Sequence, residues 1–129
     1  MTGIINLRNL PVMPSLETLD MSDNSLTGED LYYVPPNFTN LRVLKLSNND
    51  IRKMEYLSHL NKCSHLQSLD LSANPITEVF KYRENIFEKL TSLEALDGFD
   101  RDGSEWSLLD PGEVVYDEGD KMQNNEVIL

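Results

Sequence analysis

Asp20, Lys45 and Asp70 stand 25 residues apart, and Asp97 follows 27 residues later. Two residues ahead of each come Thr18, Val43, Ser68 and Ala95, and two residues after the first three come Ser22, Ser47 and Ser72. Carboxylates in pairs can act as general acid and base. That chemistry needs a water-excluding pocket that raises the pKa of one partner. A regular row of carboxylates around one lysine offers something different: a charged, patterned surface for a basic or mixed-charge chain. His59, Cys63 and His65 are the other reactive side chains, and no base–nucleophile pairing is visible around them. The chain has no Gly-rich phosphate loop, no H-E-x-x-H and no G-x-S-x-G. One cysteine and two histidines make a Cys/His zinc site unexpected. The expectation is therefore a non-enzymatic protein without cofactor or metal.

The spacing of these residues follows from the elements that carry them. Leu41-Arg42-Val43-Leu44-Lys45-Leu46-Ser47-Asn48-Asn49-Asp50-Ile51 reads L-x-x-L-x-L-x-x-N-x-I. The same pattern begins at Leu16 (with Leu19, Met21, Asn24 and Leu26) and at Leu66 (with Leu69, Leu71, Asn74 and Ile76). A degenerate copy begins at Leu93. This is the leucine-rich repeat pattern at a period within its usual range. The fold expected is an α/β leucine-rich repeat solenoid. It has a parallel concave sheet, an irregular, 3₁₀ or helical convex side, and a C-terminal cap. In each L-x-L strand, alternation sends Leu19 and Met21 inward and Thr18, Asp20 and Ser22 outward. The candidate protein-binding face is thus Thr18, Asp20, Ser22, Val43, Lys45, Ser47, Ser68, Asp70, Ser72, Ala95 and Asp97. Strands about 4.8 Å apart would set Lys45 between two carboxylates that hold it. Asp97 and Asp100 are expected to shape the cap. Asn24, Asn49 and Asn74 fall at the turn off each strand, where an amide can satisfy buried loop backbone.

Between strands, Met54, Leu57 and Leu60 recur at three-residue steps and predict helical or 3₁₀ turns, with Cys63 continuing the buried stripe. Pro35-Pro36 argues against a regular helix in residues 27–40. Val79, Tyr82, Ile86, Phe87 and Leu90 predict an amphipathic helix between Thr77 and Leu90. A fourth strand is expected over Leu93–Asp97. Trp106, Leu108 and Leu109 could pack back on the cap, and Val114, Val115 and Tyr116 form a short β-prone run. The domain reading is a repeat domain over 1–103, capped by 82–103, then an acidic, partly flexible tail over 104–129.

The chain has 129 residues and a net charge of −11. Residues 97–129 hold ten acidic and two basic residues, so they carry most of that charge. Such a run repels phosphate backbones and favours basic partners. Direct nucleic-acid binding is not expected. No apolar run approaches the roughly 20 residues that span a bilayer. No secretory signal is visible, and a single cysteine favours a reducing compartment. Ile4, Leu7 and Leu10 look like the back half of a repeat, yet no L-x-x-L-x-L precedes Ile4. The expectation is that Met1 lies inside what was a longer array.

Tyr82-Arg83-Glu84-Asn85-Ile86-Phe87 and Leu96-Asp97-Gly98-Phe99-Asp100-Arg101-Asp102 resemble the cap of the acidic leucine-rich nuclear phosphoprotein 32 family. The family's runs are Y-R-E-x-V/I-F and L-D-G-Y/F-D-R-D. The resemblance extends from about Leu10-Pro11 to residue 103, and a related cap occurs in the spliceosomal snRNP A-prime protein. It implies a non-enzymatic adaptor of nucleus and cytoplasm that binds histones or other basic proteins and/or inhibits a serine/threonine phosphatase catalytic subunit, and regulates chromatin or transcription; a monomer is expected. The alternatives are an RNP assembly component of the snRNP A-prime kind and a cytoskeletal adaptor. The family also carries an N-terminal helical cap and a long Asp/Glu tail. Here the tail offers Asp117-Glu118-Gly119-Asp120 and scattered acids, which puts tail-dependent histone-chaperone activity in question.

Overall fold

The computed structural model describes residues 7–106 and 126–129. Ile4, Leu108, Leu109 and the runs Val114–Tyr116 and Asp117–Asp120 lie outside the described residues. Three-residue strands form at each full repeat: β1 (Thr18–Asp20), β2 (Val43–Lys45) and β3 (Ser68–Asp70). They pair in parallel with β4 (Ala95–Leu96) in the register implied by the repeat. Thr18, Val43, Ser68 and Ala95 are level with one another, as are Leu19, Leu44, Leu69 and Leu96. The core is the stack of inward leucines, closed from the convex side by Leu31, Val34, Phe38, Leu57, Leu60 and Cys63. Leu19, Met21, Leu44, Leu46, Leu69 and Leu71 have no accessible surface. Each such side chain stabilises the fold by about 1.5–3 kcal/mol through burial.

The asparagine column locks one repeat to the next. Asn49 Nδ2 donates to Met21 O at 3.1 Å and Leu46 O at 2.9 Å, and its Oδ1 accepts from Leu26 N–H at 3.0 Å. Asn74 repeats this with Leu46 O, Leu71 O and Ile51 N–H. The turn one residue before each of these asparagines is left-handed, at Asp23, Asn48 and Ala73. Asn and Asp tolerate that conformation better than other L-residues.

The convex side uses 3₁₀ turns at Glu29–Tyr33, Met54–Lys62 and Pro75–Glu78. Two expectations need correction. Pro35 and Pro36 sit in the first turn of a one-turn helix, α1 (Val34–Asn37), where a missing N–H breaks no helical bond. The apolar spacing from Val79 to Leu90 does not mark one helix. Lys81 adopts a left-handed conformation, so α2 covers only Tyr82–Lys89, and Val79 and Phe80 are exposed.

The fourth strand is shorter than Leu93–Asp97. Asp97 and Gly98 are left-handed and turn the chain into β5 (Phe99–Asp100), antiparallel to β4. At the opposite edge, β6 (Glu126–Ile128) pairs in parallel with β1, giving the sheet order β5-β4-β3-β2-β1-β6.

Candidate functional site

The concave face is built by the outward residues of β1–β3 and by the residues just past each strand. Thr18, Asp20, Ser22, Val43, Lys45, Ser47, Ser68 and Asp70 are all half-buried, and Ser72 is exposed. Asp20, Lys45 and Asp70 are in register. The expected ion-pair clasp is absent: among the described residues no carboxylate lies within 4.0 Å of Lys45 Nζ. Nearer donors explain this. Asp20 Oδ1 accepts from Ser22 N–H at 3.0 Å, and Asp70 Oδ1 accepts from Ser72 N–H at 3.0 Å and Ser72 Oγ at 2.7 Å. Each carboxylate is oriented by its own strand end, and Lys45 is half-buried between them. Ser47 Oγ donates to Ser22 Oγ at 3.0 Å, joining the serine column across two repeats.

Two residues of the expected face do not belong to it. Ala95 is fully buried, unlike Thr18, Val43 and Ser68 level with it, and its one-carbon side chain offers little surface to reach past its surroundings. Asp97 leaves the strand and serves the cap. Its Oδ1 accepts from Leu71 N–H at 2.6 Å and its Oδ2 from Tyr82 Oη at 2.8 Å. Burial pushes the Asp97 carboxyl above the ordinary aspartate range, against the lowering effect of those two hydrogen bonds. The Tyr82 phenol is pushed up by burial and by the Asp97 charge.

A further polar column runs beside this face. Just ahead of the strands, Arg42 Nε donates to Gln67 Oε1 at 3.0 Å, and Arg42 Nη1 lies 4.0 Å from Glu17 Oε1. Gln67 Nε2 donates to Glu94 Oε2 at 3.4 Å, and Trp106 Nε1 donates to Glu94 Oε1 at 3.3 Å. The signal was available: Glu17, Arg42 and Gln67 keep the 25-residue period. This polar ladder forms one lip of the concave face.

The cap is held by two arginines. Arg83 donates to the carbonyls of Leu96, Phe99 and Asp100, and Arg101 to those of Phe87 and Leu93. Both guanidiniums lie against the Phe87 ring, at 5.4 and 4.6 Å from its centroid. A cavity of about 650 Å³ opens beside them. Its cations are already committed to backbone oxygens, so it is poorly suited to an anion. On the convex side, His59 lies 5.6 Å from the Tyr32 ring, and Tyr32 stacks on Tyr33 at 4.2 Å. The Cys63 thiol is buried and pushed up to about 11 by desolvation, which leaves little thiolate near neutral pH. Among the described residues, no group of three or more His, Cys, Asp and Glu is placed to hold a metal ion. What the arrangement offers is an open, patterned, charged sheet surface.

The comparisons agree with this architecture. The leucine-rich repeat family model matches residues 2–101. The chain is 41% identical over 98 residues to acidic leucine-rich nuclear phosphoprotein 32 family member A of Drosophila melanogaster, covering 76% of this chain and 37% of the relative. The Drosophila pseudoobscura pseudoobscura protein of the same name is also 41% identical, with 36% of it covered. The chain therefore spans little more than a third of the length of these relatives. Among solved structures, a chain of the Drosophila melanogaster SNF/U2A′ complex matches with a TM-score of 0.65 and 27% identity, covering 77% of this chain and 55% of that one. The Mex67 leucine-rich repeat domain from Chaetomium thermophilum matches with a TM-score of 0.60 at 24% identity, covering 74% of this chain and 60% of that one, a likeness of fold. The chain belongs to the leucine-rich repeat family, and its repeats and cap are of the acidic leucine-rich nuclear phosphoprotein 32 type.

Proposed function

We propose that this chain is a nuclear protein-interaction module whose concave face binds Lys/Arg-rich segments of partner proteins. Histones are the first candidates, and a basic surface on a serine/threonine phosphatase catalytic subunit is the second. The observation that carries the reading is the pair Asp20 and Asp70. Both are tethered through Oδ1 to their own strand ends on an open sheet, with Lys45 between them making no ion pair among the described residues. Carboxylates held in place before binding lose little side-chain freedom when a cation arrives. The net charge of −11 steers basic partners toward the surface and falls off with salt. The nuclear assignment rests on the names of the relatives. The role proposed is occupancy of a basic or catalytic surface, with regulation of chromatin or transcription as the consequence.

The test is retention of core histones, or of a phosphatase catalytic subunit, by the immobilised chain across a salt series. Binding should weaken steadily between low and high salt and should drop with Asp20→Lys/Asp70→Lys. Absent or salt-insensitive binding would contradict the electrostatic reading. A second reading rests on the likeness to a chain of the SNF/U2A′ complex: assembly into an RNP through a protein partner. Co-purification of RNA together with an RNA-recognition-motif protein, and no retention of histones, would favour it.

A further inference from the structure

The first strand of this array is not an open edge. Glu126, Val127 and Ile128 lie level with Thr18, Leu19 and Asp20. Leu129 N–H donates to Asp20 O at 2.7 Å. The same bond recurs inside the array, where Met21 N–H donates to Lys45 O and Leu46 N–H to Asp70 O, each at 2.8 Å. Glu126-Val127-Ile128-Leu129 thus occupies the position of a repeat strand ahead of β1. Val127 stands where Leu19 stands in its own repeat and packs against the core. The pattern explains the choice of segment: Val127-x-Leu129 is an L-x-L half-copy.

The occupant fills the strand position but not the rest of a repeat. Within the array, Asn49 Oδ1 takes the Leu26 N–H and Asn74 Oδ1 takes the Ile51 N–H, each from the repeat before. Asn24 Oδ1 is buried and has no partner among the described residues. Among the described residues, the paired segment supplies counterparts of Thr18–Met21. Its side-chain hold is slight as well: Ile128 is 70% exposed and Leu129 38%. Backbone pairing supplies most of the attachment, as it does where an extended peptide adds to a sheet edge.

We propose that the outer edge of β1 is a strand-docking site that takes an extended apolar-x-apolar segment in parallel, and that residues 126–129 are its resident, exchangeable occupant. Access from within the chain is easy. Nineteen residues separate Trp106 from Glu126 and can reach roughly 60 Å. The four strand spacings from β4 to β6 amount to about 19 Å. A competing segment from another protein, carrying a leucine-rich half-repeat, would make the same main-chain bonds. It would also offer a loop N–H to Asn24 Oδ1, which has no partner among the described residues. This site is separate from the concave face and does not depend on the function proposed for it.

The test uses the full chain and Val127→Asp, which puts a charge at the core-facing position of β6. The probes are fluorescein-labelled peptides of sequence NNEVIL (residues 124–129) and LRVLKLSNNDI (residues 41–51). The resident segment acts at an effective concentration of about millimolar. The expected result is saturable binding of both peptides to Val127→Asp, tighter for the longer one, and at least tenfold weaker binding to the unsubstituted chain. Equal binding to the two chains, or none to Val127→Asp, would overturn the proposal. Should Val127→Asp fail to fold, amide exchange in the unsubstituted chain decides. The Leu129 amide should exchange at least tenfold more slowly than in free NNEVIL, and an equal rate would overturn the proposal.

Discussion

The two ends of the sheet are sealed by different physics. At the C-terminal end, side chains do the work. Arg83 and Arg101 reach back to five carbonyls, Asp97 ties Leu71 to Tyr82, and Phe87 lies against both guanidiniums. At the N-terminal end the seal is a borrowed strand. It is held chiefly by main-chain pairing, with an exposed Ile128 and, beside it, an Asn24 Oδ1 that has no partner among the described residues. Charge-assisted bonds to particular carbonyls are specific and make a permanent cap. Backbone pairing accepts many sequences and makes a replaceable one. Between the ends, the middle repeat has a neighbour on each side and is the best protected part of the array.

Graded substitutions break or sharpen this contrast. Leu44→Ala, in the middle, should cost about 2–5 kcal/mol through lost transfer energy and a cavity. Denaturant unfolding measures it, with a shift in midpoint and an unchanged slope. Arg83→Ala should cost about 1.5–3 kcal/mol, the range for a hydrogen bond to a charged group. Amide exchange should show that loss concentrated in β4 and β5, with β1 and β2 unaffected. Asn74→Ala should cost about 1–3 kcal/mol, because it strands the Ile51 N–H and two buried carbonyls. Asn24→Ala should cost less, since its Oδ1 satisfies nothing among the described residues. Equal losses at the two positions would remove the asymmetry between interior and edge.

The smallest effect concerns pH. Asp97 holds its proton more tightly folded than unfolded, chiefly because of burial. Between the ordinary carboxyl pKa and the raised one, the folded state therefore binds more protons. Stability from this group is present at the acid end and is lost as pH rises through the folded pKa. Asp97→Asn should flatten that part of the stability–pH curve. Tyr82→Phe removes a hydrogen bond to the carboxylate and should move the Asp97 titration midpoint, followed by NMR, still higher.

The strands, their register and the inward leucines were legible because a two-residue alternation repeated every 25 residues has few other solutions. The cap was legible through its two runs. Other features depended on competition that spacing does not encode. Lys45 lost its expected carboxylates because Ser22 and Ser72 offer nearer donors. The helix reading failed at Lys81, where a left-handed turn interrupts an apolar spacing that otherwise continues. Asp97 left the outward column because the chain turns after Leu96, and Ala95 is buried. The sixth strand was hidden for a simpler reason. Val127-x-Leu129 is half a repeat, without the asparagine that makes a full copy recognisable.

Docking of partners on the concave sheet is the proposal on which the function rests. It is tested most directly by backbone amide NMR during titration with a Lys/Arg-rich histone-tail peptide at low salt. The largest shifts should fall on Asp20, Ser22, Lys45, Ser47, Asp70 and Ser72, and they should fade as salt is added. Shifts centred on the convex Tyr32–His59 region or on the cap, with the concave residues unmoved, would contradict it.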